Sequence, residues 1–362
     1  MEFGVLFTNQ PNLETDTYPY REVHDMTTDL VLHADKVGYD MAWIAEHHFS
    51  SMYGIMPDVF AYSAYLAGRV KQIKLGAGVV VLPMTHPVRV AENAAFLDLL
   101  TNGKFLLGFG SGYRPYEFAG MGVPFDERRD IQEEVLPLIR EMFVKKRVQH
   151  DGKYYKVDIT GDYELFPQSI QQPHPPLYLA AATERSIKKA AQHGLGVMFS
   201  SLTATNQLAA EAAMYQEEIK KTPQELRSNP GYGAIDVARW VYVAETDEQA
   251  RKDTERGILK HMSHYDGKQT VGYLGTVASD LYDDAEGDWY NGLLKKNVII
   301  HGSPKTVSEK IEELQDKVGM TSILTLYPPY YSREMLKNSF SAFADEVMPK
   351  FRNEVPVLEP AA

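Results

Sequence analysis

The sequence predicts an α/β fold, a closed (β/α)8 TIM barrel, on three observations. Eight strand-like segments alternate with helical patterns along the 362 residues. Strands in this order must be parallel, because parallel neighbours are joined by long and usually helical connections. An open doubly wound sheet is the alternative, but its Gly-x-Gly-x-x-Gly fingerprint is interrupted, since the run that begins with Gly108 and Gly110 has Tyr113 at the third glycine position. The count of eight strands therefore favours the barrel.

The elements follow one another in a regular order. The predicted strands are short, β-rich segments at residues 2–8, 41–45, 73–82, 104–109, 177–181, 196–200, 237–244 and 322–326. The predicted helices lie at residues 21–36, 57–71, 89–100, 126–143, 183–193, 205–220, 247–262, 305–318 and 332–347. At least one helix therefore separates each strand from the next.

Two stretches interrupt this order and are predicted as insertions. Residues 145–176, between strands 4 and 5, contain short β-like pieces, a turn signal at Asp151-Gly152 and a cluster of prolines. Residues 264–298, between strands 7 and 8, are rich in Tyr, Asp and Gly and have weak periodicity. Long irregular segments are often lids or binding loops, and a merely mobile surface insertion is the alternative for each. We expect a single domain, 1–362, that includes both insertions and ends in a loose tail at 355–362.

Composition excludes several classes of function. The formal net charge is −12 and there is no run of Lys or Arg, so nucleic acid is not expected as a partner. Because the chain has no cysteine, it has no disulfide framework, no cysteine zinc site and no thiol nucleophile. Neither a signal peptide nor an apolar stretch of about 20 residues is present, so we expect no membrane association and a cytoplasmic location.

The first candidate site residues follow the second strand, in Glu46-His47-His48-Phe49. The loops after the strands of a barrel converge on one face, where active sites are built. Histidine exchanges a proton readily near neutral pH. Alternation along a strand sends His47 and His48 to opposite faces, so at most one is expected to reach a given pocket. A packed or surface histidine is the alternative reading.

Glycines mark two other loops on this face. Gly108, Gly110 and Gly112 follow the fourth strand and leave the backbone open to a flat ring or an anion, with the charge of Arg114 nearby. A tight turn that needs positive φ is the alternative. The run Gly76-Ala77-Gly78 likewise indicates a bulge or a close contact near the end of the third strand.

The helix after the fifth strand begins with hydroxyl residues. Its N-terminal amides, with Thr183 and Ser186, could hold a phosphate, although a simple N-cap by Thr183 is the more common arrangement. We expect no catalytic metal, because adjacent histidines on a strand cannot face one ion and no His-x-x-x-His pattern is present. The absence of a Gly-x-Ser-x-Gly elbow argues against a serine hydrolase.

Over nearly its whole length the chain resembles the bacterial luciferase-like, flavin-dependent monooxygenases. The segments with the strongest resemblance are Met1-Glu2-Phe3-Gly4, Trp43-Ile44-Ala45-Glu46-His47-His48-Phe49, Thr85-His86-Pro87-Val88-Arg89, Gly103-Lys104-Phe105, the small-residue strand end at 180–183, and His301-Gly302-Ser303-Pro304.

The resemblance implies an activity and two partners. The family uses reduced flavin mononucleotide (FMN, as FMNH2), supplied by a separate flavin reductase, and reacts it with O2 to a C4a-(hydro)peroxide. That species oxidises a small organic substrate such as an aldehyde or ketone. By resemblance His47 is the acid/base that manages the proton of the peroxide, and His48 points away as a structural residue.

The resemblance also implies how flavin is held. Phosphate would lie on the backbone at Ala182 and Thr183 with the Thr183 and Ser186 hydroxyls, and a cis peptide at Gly78–Val79 would lie under the ring. Gly110-Ser111 stand where light-emitting subunits have Cys-Arg, which weakens any expectation of light emission and leaves Arg114 as a substitute for the phosphate-binding arginine. Residues 264–298 would form a mobile loop that closes the site. The implied cofactor residues are Gly78, Val79, Gly110, Ser111, Arg114, Ala182, Thr183, Ser186, Phe199, Ser200 and Ser201.

Two other functions remain open on the same fold. One is a deazaflavin-dependent dehydrogenase or reductase that moves hydride without O2, and the other is a non-catalytic partner subunit of a luciferase-like heterodimer. The resemblance also implies pairing through the helices after strands 2 and 3, so a homodimer is expected. Ala61, Ala64 and Ala67 provide a small-residue helix face for such packing, and a buried intramolecular face is the alternative.

Overall fold

Eight parallel strands close into a barrel surrounded by helices. The computed structural model describes residues 1–51, 53–263 and 287–352. Within them the strands are β1 (Glu2–Phe7), β2 (Met41–Ile44), β3 (Lys74–Val81), β4 (Phe105–Gly110), β5 (Val148–Asp151), β6 (Lys156–Ile159), β7 (Leu177–Ala181), β8 (Gly196–Phe199), β9 (Ile235–Val243), β10 (Ile299–Gly302) and β11 (Ser322–Leu326). The helices are α1 (Pro19–Val37), α2 (Val59–Ala67), α3 (Pro87–Leu100), α4 (Pro115–Met121), α5 (Arg128–Val144), α6 (Glu184–Gln192), α7 (Thr205–Ile219), α8 (Asp247–Ser263), α9 (Trp289–Lys295), α10 (Pro304–Val318), α11 (Arg333–Ala342) and α12 (Met348–Arg352).

The strand order confirms the predicted (β/α)8 barrel. Around the ring it is β1, β2, β3, β4, β7, β8, β9 and β11, and β11 returns to β1 with Glu2 opposite Ser322. Each of these pairings is parallel. The eight predicted strands are therefore the eight strands of the ring, with ends that differ by at most two residues.

Burial on both faces explains why these strands are almost continuously apolar. All nine residues of β9 are buried. Ala238 and Trp240 belong to the apolar cluster inside the barrel, whereas Val237 and Val241 belong to the core between strands and helices. Parallel strands covered on both sides need such sequences, because neither face meets water.

The insertion between the fourth and fifth barrel strands contains a hairpin at the predicted turn. β5 and β6 pair antiparallel, with Asp151 opposite Lys156. The hairpin docks on α5 through Glu134, whose carboxylate accepts hydrogen bonds from the amides of Lys153 (2.9 Å), Tyr154 (3.1 Å) and Tyr155 (2.9 Å). An anchored hairpin therefore accounts for the short β-like pieces of residues 145–176.

Several short elements among the described residues were not predicted, among them β10 and α4. β10 pairs with the second half of β9, on the edge opposite β11, because Trp240 has Ile299 as one partner and Leu326 as the other. The seven-residue helix α4 follows β4. Both are too short for a clear periodic pattern, and β10 lies directly after a stretch predicted to be irregular.

Several predictions concern segments that the structure describes only in part or not at all. The last part of the predicted loop at 264–298 contains the short helix α9, and residues 264–286 lie outside the described residues. The predicted tail at 355–362 also lies outside them. In the described ranges, no helix is both long and apolar enough to traverse a lipid bilayer. The single-domain organisation and the cytoplasmic location stay predictions.

Candidate active site

A cavity of about 320 Å³ lies at the C-terminal ends of the barrel strands. It has the size of a small-molecule binding site. The structure brings to it all the site residues predicted from the sequence, which are His47, Gly78, Val79, Gly110, Ser111, Arg114, Ala182, Thr183, Ser186, Phe199, Ser200 and Ser201. Loops that are far apart in the chain meet here because the carboxyl ends of parallel barrel strands share one face.

His47 is held in the wall of this cavity by contacts on three sides. Its Nδ1 lies 3.2 Å from Oε1 of Glu117, and its backbone N–H donates to the carbonyl of Met56 at 3.0 Å. Its ring and that of Tyr53 pack in an edge-to-face arrangement, with 4.5 Å between ring centroids. Because Nδ1 is engaged with Glu117, Nε2 is the ring nitrogen left for a molecule in the cavity.

Glu117, on α4, was not predicted as a site residue, although it orients His47. It is buried, and Oε1 also accepts the backbone N–H of His48 at 2.9 Å. Burial raises the pKa of Glu117, but hydrogen bonds from His47 and His48 and the charge of Arg114 outweigh it, so the pKa is lowered overall. Burial lowers the pKa of His47, against the opposing effect of Glu117. Near neutral pH, Glu117 is therefore a carboxylate and His47 is neutral with its proton on Nδ1, because a carboxylate can only accept.

His48 does not line the cavity, as predicted. Its Nε2 lies 3.1 Å from Oε1 of Glu46, and this hydrogen bond raises the pKa of His48. The physical reason differs from the predicted one. β2 ends at Ile44, so strand alternation does not apply to these histidines, and the carboxylates of Glu46 and Glu117 set their directions instead.

The floor beside His47 is formed by irregular backbone at the ends of β3 and β4. The pairing of these strands shifts register between Ala77 and Val80, as the predicted bulge requires, and the Gly78–Val79 peptide is cis, as predicted. A Cβ on Gly110 would lie only 2.6 Å from Cγ2 of Val79. Glycine at position 110 therefore leaves room for the side chain of Val79 against the end of β4.

At another side of the cavity, α6 begins with a capping box. The Thr183 hydroxyl accepts the N–H of Ser186 at 3.3 Å. The Ser186 hydroxyl accepts the N–H groups of Ala182 (3.2 Å) and Thr183 (3.0 Å). The N-cap reading of the sequence is thus confirmed, and the amides predicted to hold a phosphate are hydrogen-bonded within the chain.

Cationic side chains that the sequence reasoning missed surround this helix start. Arg128 and Arg129, in the first turn of α5, line the cavity together with Arg185 and Lys189 of α6. Glu133 of α5 joins the two helices through ion pairs with Arg185 (2.5 Å) and Lys189 (2.9 Å). The available signal was the Arg128-Arg129 pair at the start of a predicted helix, since helix N-termini and cations both attract anions.

Arg114 lies on the His47 side of the cavity. Its guanidinium carbon is 3.6 Å from the ring centroid of Tyr53 and 5.0 Å from that of Tyr113, and Nη1 donates to the hydroxyl of Tyr116 at 3.3 Å. Tyr53 thus contacts both Arg114 and His47. The predicted role of Arg114 in phosphate binding stays a prediction, and its charge lowers the pKa of Glu117.

Another part of the cavity surface is apolar and belongs to the barrel interior. Its residues are Leu6, Val79, Met198, Ala238, Trp240, Leu324 and Leu326. An apolar floor fits a flat aromatic ring system, and four cations beside the two carboxylates of Glu133 and Asp130 fit a phosphate. The residues present therefore match the two ends of FMN. In the described part of the chain, the structure places no three or more His, Asp or Glu side chains where they could hold a metal ion together.

The sequence of the chain is similar to those of known monooxygenases. The family model described as luciferase-like monooxygenase matches residues 1–321. The chain is 25% identical to the alkanal monooxygenase alpha chain of Photorhabdus luminescens, covering 96% of both proteins. It is 28% identical to limonene 1,2-monooxygenase of Rhodococcus erythropolis, covering 90% of this chain and 81% of that protein.

Solved structures show the same fold. The oxygenating constituent of 3,6-diketocamphane monooxygenase from Pseudomonas putida, in complex with FMN, superposes with a TM-score of 0.78 at 22% identity and covers 97% of this chain and 98% of that one. The coenzyme F420 dependent tetrahydromethanopterin reductase of Methanopyrus kandleri superposes with a TM-score of 0.67 at 21% identity, covering 97% of this chain and 99% of that one. One fold thus occurs in oxygenating and in F420-dependent enzymes.

Proposed function

The chain belongs to the luciferase-like monooxygenase family, and from this premise we propose that it is the oxygenase of a two-component system. It takes FMNH2 from a separate flavin reductase and uses O2 to oxidise a small organic substrate such as an aldehyde or ketone. One oxygen atom enters the product and the other leaves as water, with the two electrons coming from the flavin. The observation that carries the proposal is His47, fixed by Glu117 in the wall of the cavity.

Reduced flavin, when bound, supplies the electrons that activate O2. His47 holds and moves a proton at Nε2 during this chemistry. Its lowered pKa keeps the ring neutral and able to accept a proton near neutral pH. The buried carboxylate of Glu117 stabilises the imidazolium that then forms, and holds the ring in one tautomer.

The proposed flavin site uses the two chemically distinct parts of the cavity. Gly78, Val79 and Gly110 would hold the ring, together with residues 199–201. The amides of Ala182 and Thr183, which now donate to the Ser186 hydroxyl, would hold the phosphate together with the hydroxyls of Thr183 and Ser186. Arg128, Arg129, Arg185 and Lys189 balance its charge.

We further propose that the protein is a homodimer that pairs through α2 and α3. Of the predicted small-residue face of α2, Ala61 and Ala64 are exposed and Ala67 is partly buried against the core. Tyr65 of α2 is also exposed, as are Phe96 and Leu99 of α3. Exposed apolar side chains gathered on two adjacent helices are typical of an interface.

The test of the activity is oxygen transfer by the native protein and by His47→Ala. With FMN, NADH, a flavin reductase and ¹⁸O2, a screen of aldehydes and ketones should yield a product with one ¹⁸O atom. His47→Ala should lower product formation by about 10²- to 10⁴-fold, the usual contribution of a general acid/base, and leave FMN binding nearly intact. Binding is measured by quenching of flavin fluorescence.

The matched control is His48→Gln, which changes the neighbouring histidine outside the cavity and should retain most of the turnover. Full turnover by His47→Ala would reject the role of His47. Reduction of a deazaflavin by an organic substrate in the absence of O2, without ¹⁸O transfer under any condition, would reject the monooxygenase in favour of hydride transfer.

A further inference from the structure

The loop after β8 forms one wall of the cavity, at Ser200, Ser201 and Leu202. Leu202 is buried in the apolar cluster inside the barrel, together with Met198 and Trp240. The backbone of this loop is irregular, so its carbonyl groups have no strand partners to hold them. A wall of this kind keeps its shape only if other groups fix its backbone.

Arg239 of β9 fixes the backbone of this loop with its guanidinium. Its side chain lies on the outer side of the barrel wall. It is fully buried, with 0% of its surface exposed. Nη1 donates to the carbonyl of Ser200 at 3.1 Å, and Nη2 donates to the carbonyl of Thr203 at 2.8 Å. Nη1 also donates to the carbonyl of Ala238 in its own strand at 2.8 Å. The guanidinium therefore ties both ends of the loop to β9.

The charge of Arg239 has no carboxylate partner at ion-pair distance among the described residues. Glu211 of α7 acts on it electrostatically without forming an ion pair. Burial lowers the pKa of Arg239 to about 9, so the side chain still carries its charge near neutral pH. Burying such a cation is costly, and an apolar residue of similar size would serve the core at least as well. What the charged guanidinium contributes here is three hydrogen bonds to backbone carbonyl oxygens.

We propose that Arg239 is a positioning residue that holds the Ser200–Leu202 wall in the shape that receives the edge of the flavin ring. The inference rests on the proposed flavin site and assigns this site a residue that does not line the cavity itself. Arg239 acts through the carbonyls of Ser200 and Thr203, and has no chemical step of its own. Loss of the guanidinium should loosen the wall while the barrel strands stay paired.

The test compares Arg239→Met and Arg239→Lys with a matched control, Arg140→Met. Arg140 of α5 also donates to two backbone carbonyls, those of His193 (3.0 Å) and Leu226 (2.9 Å), but lies away from the cavity wall. The readouts are the dissociation constant of FMN and hydrogen–deuterium exchange of residues 199–205. Arg239→Met should weaken FMN binding about 10-fold, as misplacement of a binding wall does, and should speed exchange of the loop.

Arg239→Lys should fall between the native protein and Arg239→Met, because one ammonium cannot reproduce the fork of a guanidinium. Arg140→Met should lower the thermal midpoint and leave FMN affinity and loop exchange unchanged. Native affinity and native loop exchange in Arg239→Met would overturn the proposal. So would an equal loss of FMN affinity in Arg140→Met, which would show a general effect of destabilisation.

Two further outcomes distinguish failure of the role proposed for Arg239 from failure of the proposed flavin site. If Arg239→Met fails to fold, exchange of residues 199–205 in Arg239→Lys decides, and native exchange there overturns the proposal. If the unaltered protein does not bind FMN, the proposed flavin site is wrong. The proposed role of the Ser200–Leu202 wall in receiving the flavin ring is then wrong too. Loop exchange then still shows whether Arg239 holds the backbone at Ser200 and Thr203.

Discussion

At the scale of single residues, the site depends on a histidine and a carboxylate that lie 70 positions apart. Glu117 raises the pKa of His47 by hydrogen bonding and by charge, in opposition to burial. The neutral ring is the form that accepts a proton, so activity should be lost on the acid side as His47 becomes protonated. The position of that acid limb therefore reports the interaction with Glu117.

We expect Glu117→Gln to shift the acid limb of the pH profile of kcat/KM to lower pH. Removing the carboxylate removes an influence that raises the pKa of His47, so the ring stays neutral to a lower pH. The maximal rate should fall by roughly 10²-fold, because the imidazolium loses its stabilising charge. The measurement is product formation between pH 5 and 8 with FMNH2 supplied enzymatically.

Glu46→Gln is the control for this prediction, because Glu46 belongs to the same loop but is hydrogen-bonded to His48. It should leave the acid limb in place. A shift of the limb to higher pH in Glu117→Gln would contradict the assigned protonation states.

The sequence was sufficient to predict His47 but not Glu117. His47 stands at the end of an apolar strand, which is a local signal for a site in a barrel. Glu117 lies in the first turn of a seven-residue helix with a proline at its start, where an acidic residue is common for reasons of helix stability alone. Only the folded barrel brings its carboxylate to the imidazole.

At the scale of elements, the carboxylate of Glu134 attaches the hairpin β5–β6 to α5, in addition to the burial of Val148 and Val157 in the core. Glu134 is mostly buried and accepts three backbone amides, and His150 lies 3.2 Å from its Oε1. Burial raises the pKa of Glu134, but these hydrogen bonds outweigh it and the pKa is lowered. The hairpin is thus fixed by charge-assisted hydrogen bonds.

Glu134→Gln should release the hairpin and reduce the free energy of unfolding by about 2 kcal/mol, since a bond to a charged group is worth more than a neutral one. Hydrogen–deuterium exchange of residues 148–159 should become faster. Glu141→Gln, which removes the exposed pair with Lys145, is the control and should change stability by less than about 0.5 kcal/mol. Unchanged exchange in the hairpin would show that other contacts hold it.

Elements with a long periodic sequence pattern were predicted, and elements of only a few residues were missed. The eight barrel strands follow from alternation with helices, and the bulge in β3 follows from Gly76-Ala77-Gly78. β10 spans four residues and α4 seven, which is too few for either period to be recognised. Their positions are set by tertiary contacts, namely the free edge of β9 for β10 and the packing of Phe118 for α4.

At the scale of the whole molecule, a buried acid at the start of β9 should make stability depend on pH. Burial raises the pKa of Asp236 to about 7, from 3.8, and its Oδ1 accepts a hydrogen bond from the Ser322 hydroxyl at 2.6 Å. The folded state therefore binds this proton more tightly than the unfolded state. The protonated form folds without penalty at low pH, and the free energy of unfolding falls as pH rises from about 4 to about 7.

Asp236→Asn should remove this dependence. Relative to the native protein, the variant should gain stability as pH rises from 5 to 8, by up to about 4 kcal/mol over the full titration range. Urea denaturation at several pH values measures the difference. Asp151→Asn, on an exposed hairpin position, is the control and should follow the native protein at each pH. A constant difference between Asp236→Asn and the native protein would contradict the raised pKa.

The proposed homodimer makes a prediction at the same scale. Phe96→Asp places a charge in the exposed apolar face of α3 and should convert the dimer to monomers, measured by light scattering after gel filtration. Tyr163→Asp makes the same change at an exposed site in the insertion, and should leave the mass unchanged. A native protein that is monomeric, or a dimer that survives Phe96→Asp, would reject this interface.

The ring of strands has a consequence for synthesis of the protein. β1 closes the barrel against β11, and the paired residues Glu2 and Ser322 are 320 positions apart. At the ordinary translation rate of 5 to 20 residues per second, about 16 to 64 seconds pass between their emergence. During that time one edge of β1 has no partner, and an open strand edge invites pairing with other chains. Slower elongation should therefore lower the yield of active protein, and a chaperone that shields strand edges should restore it.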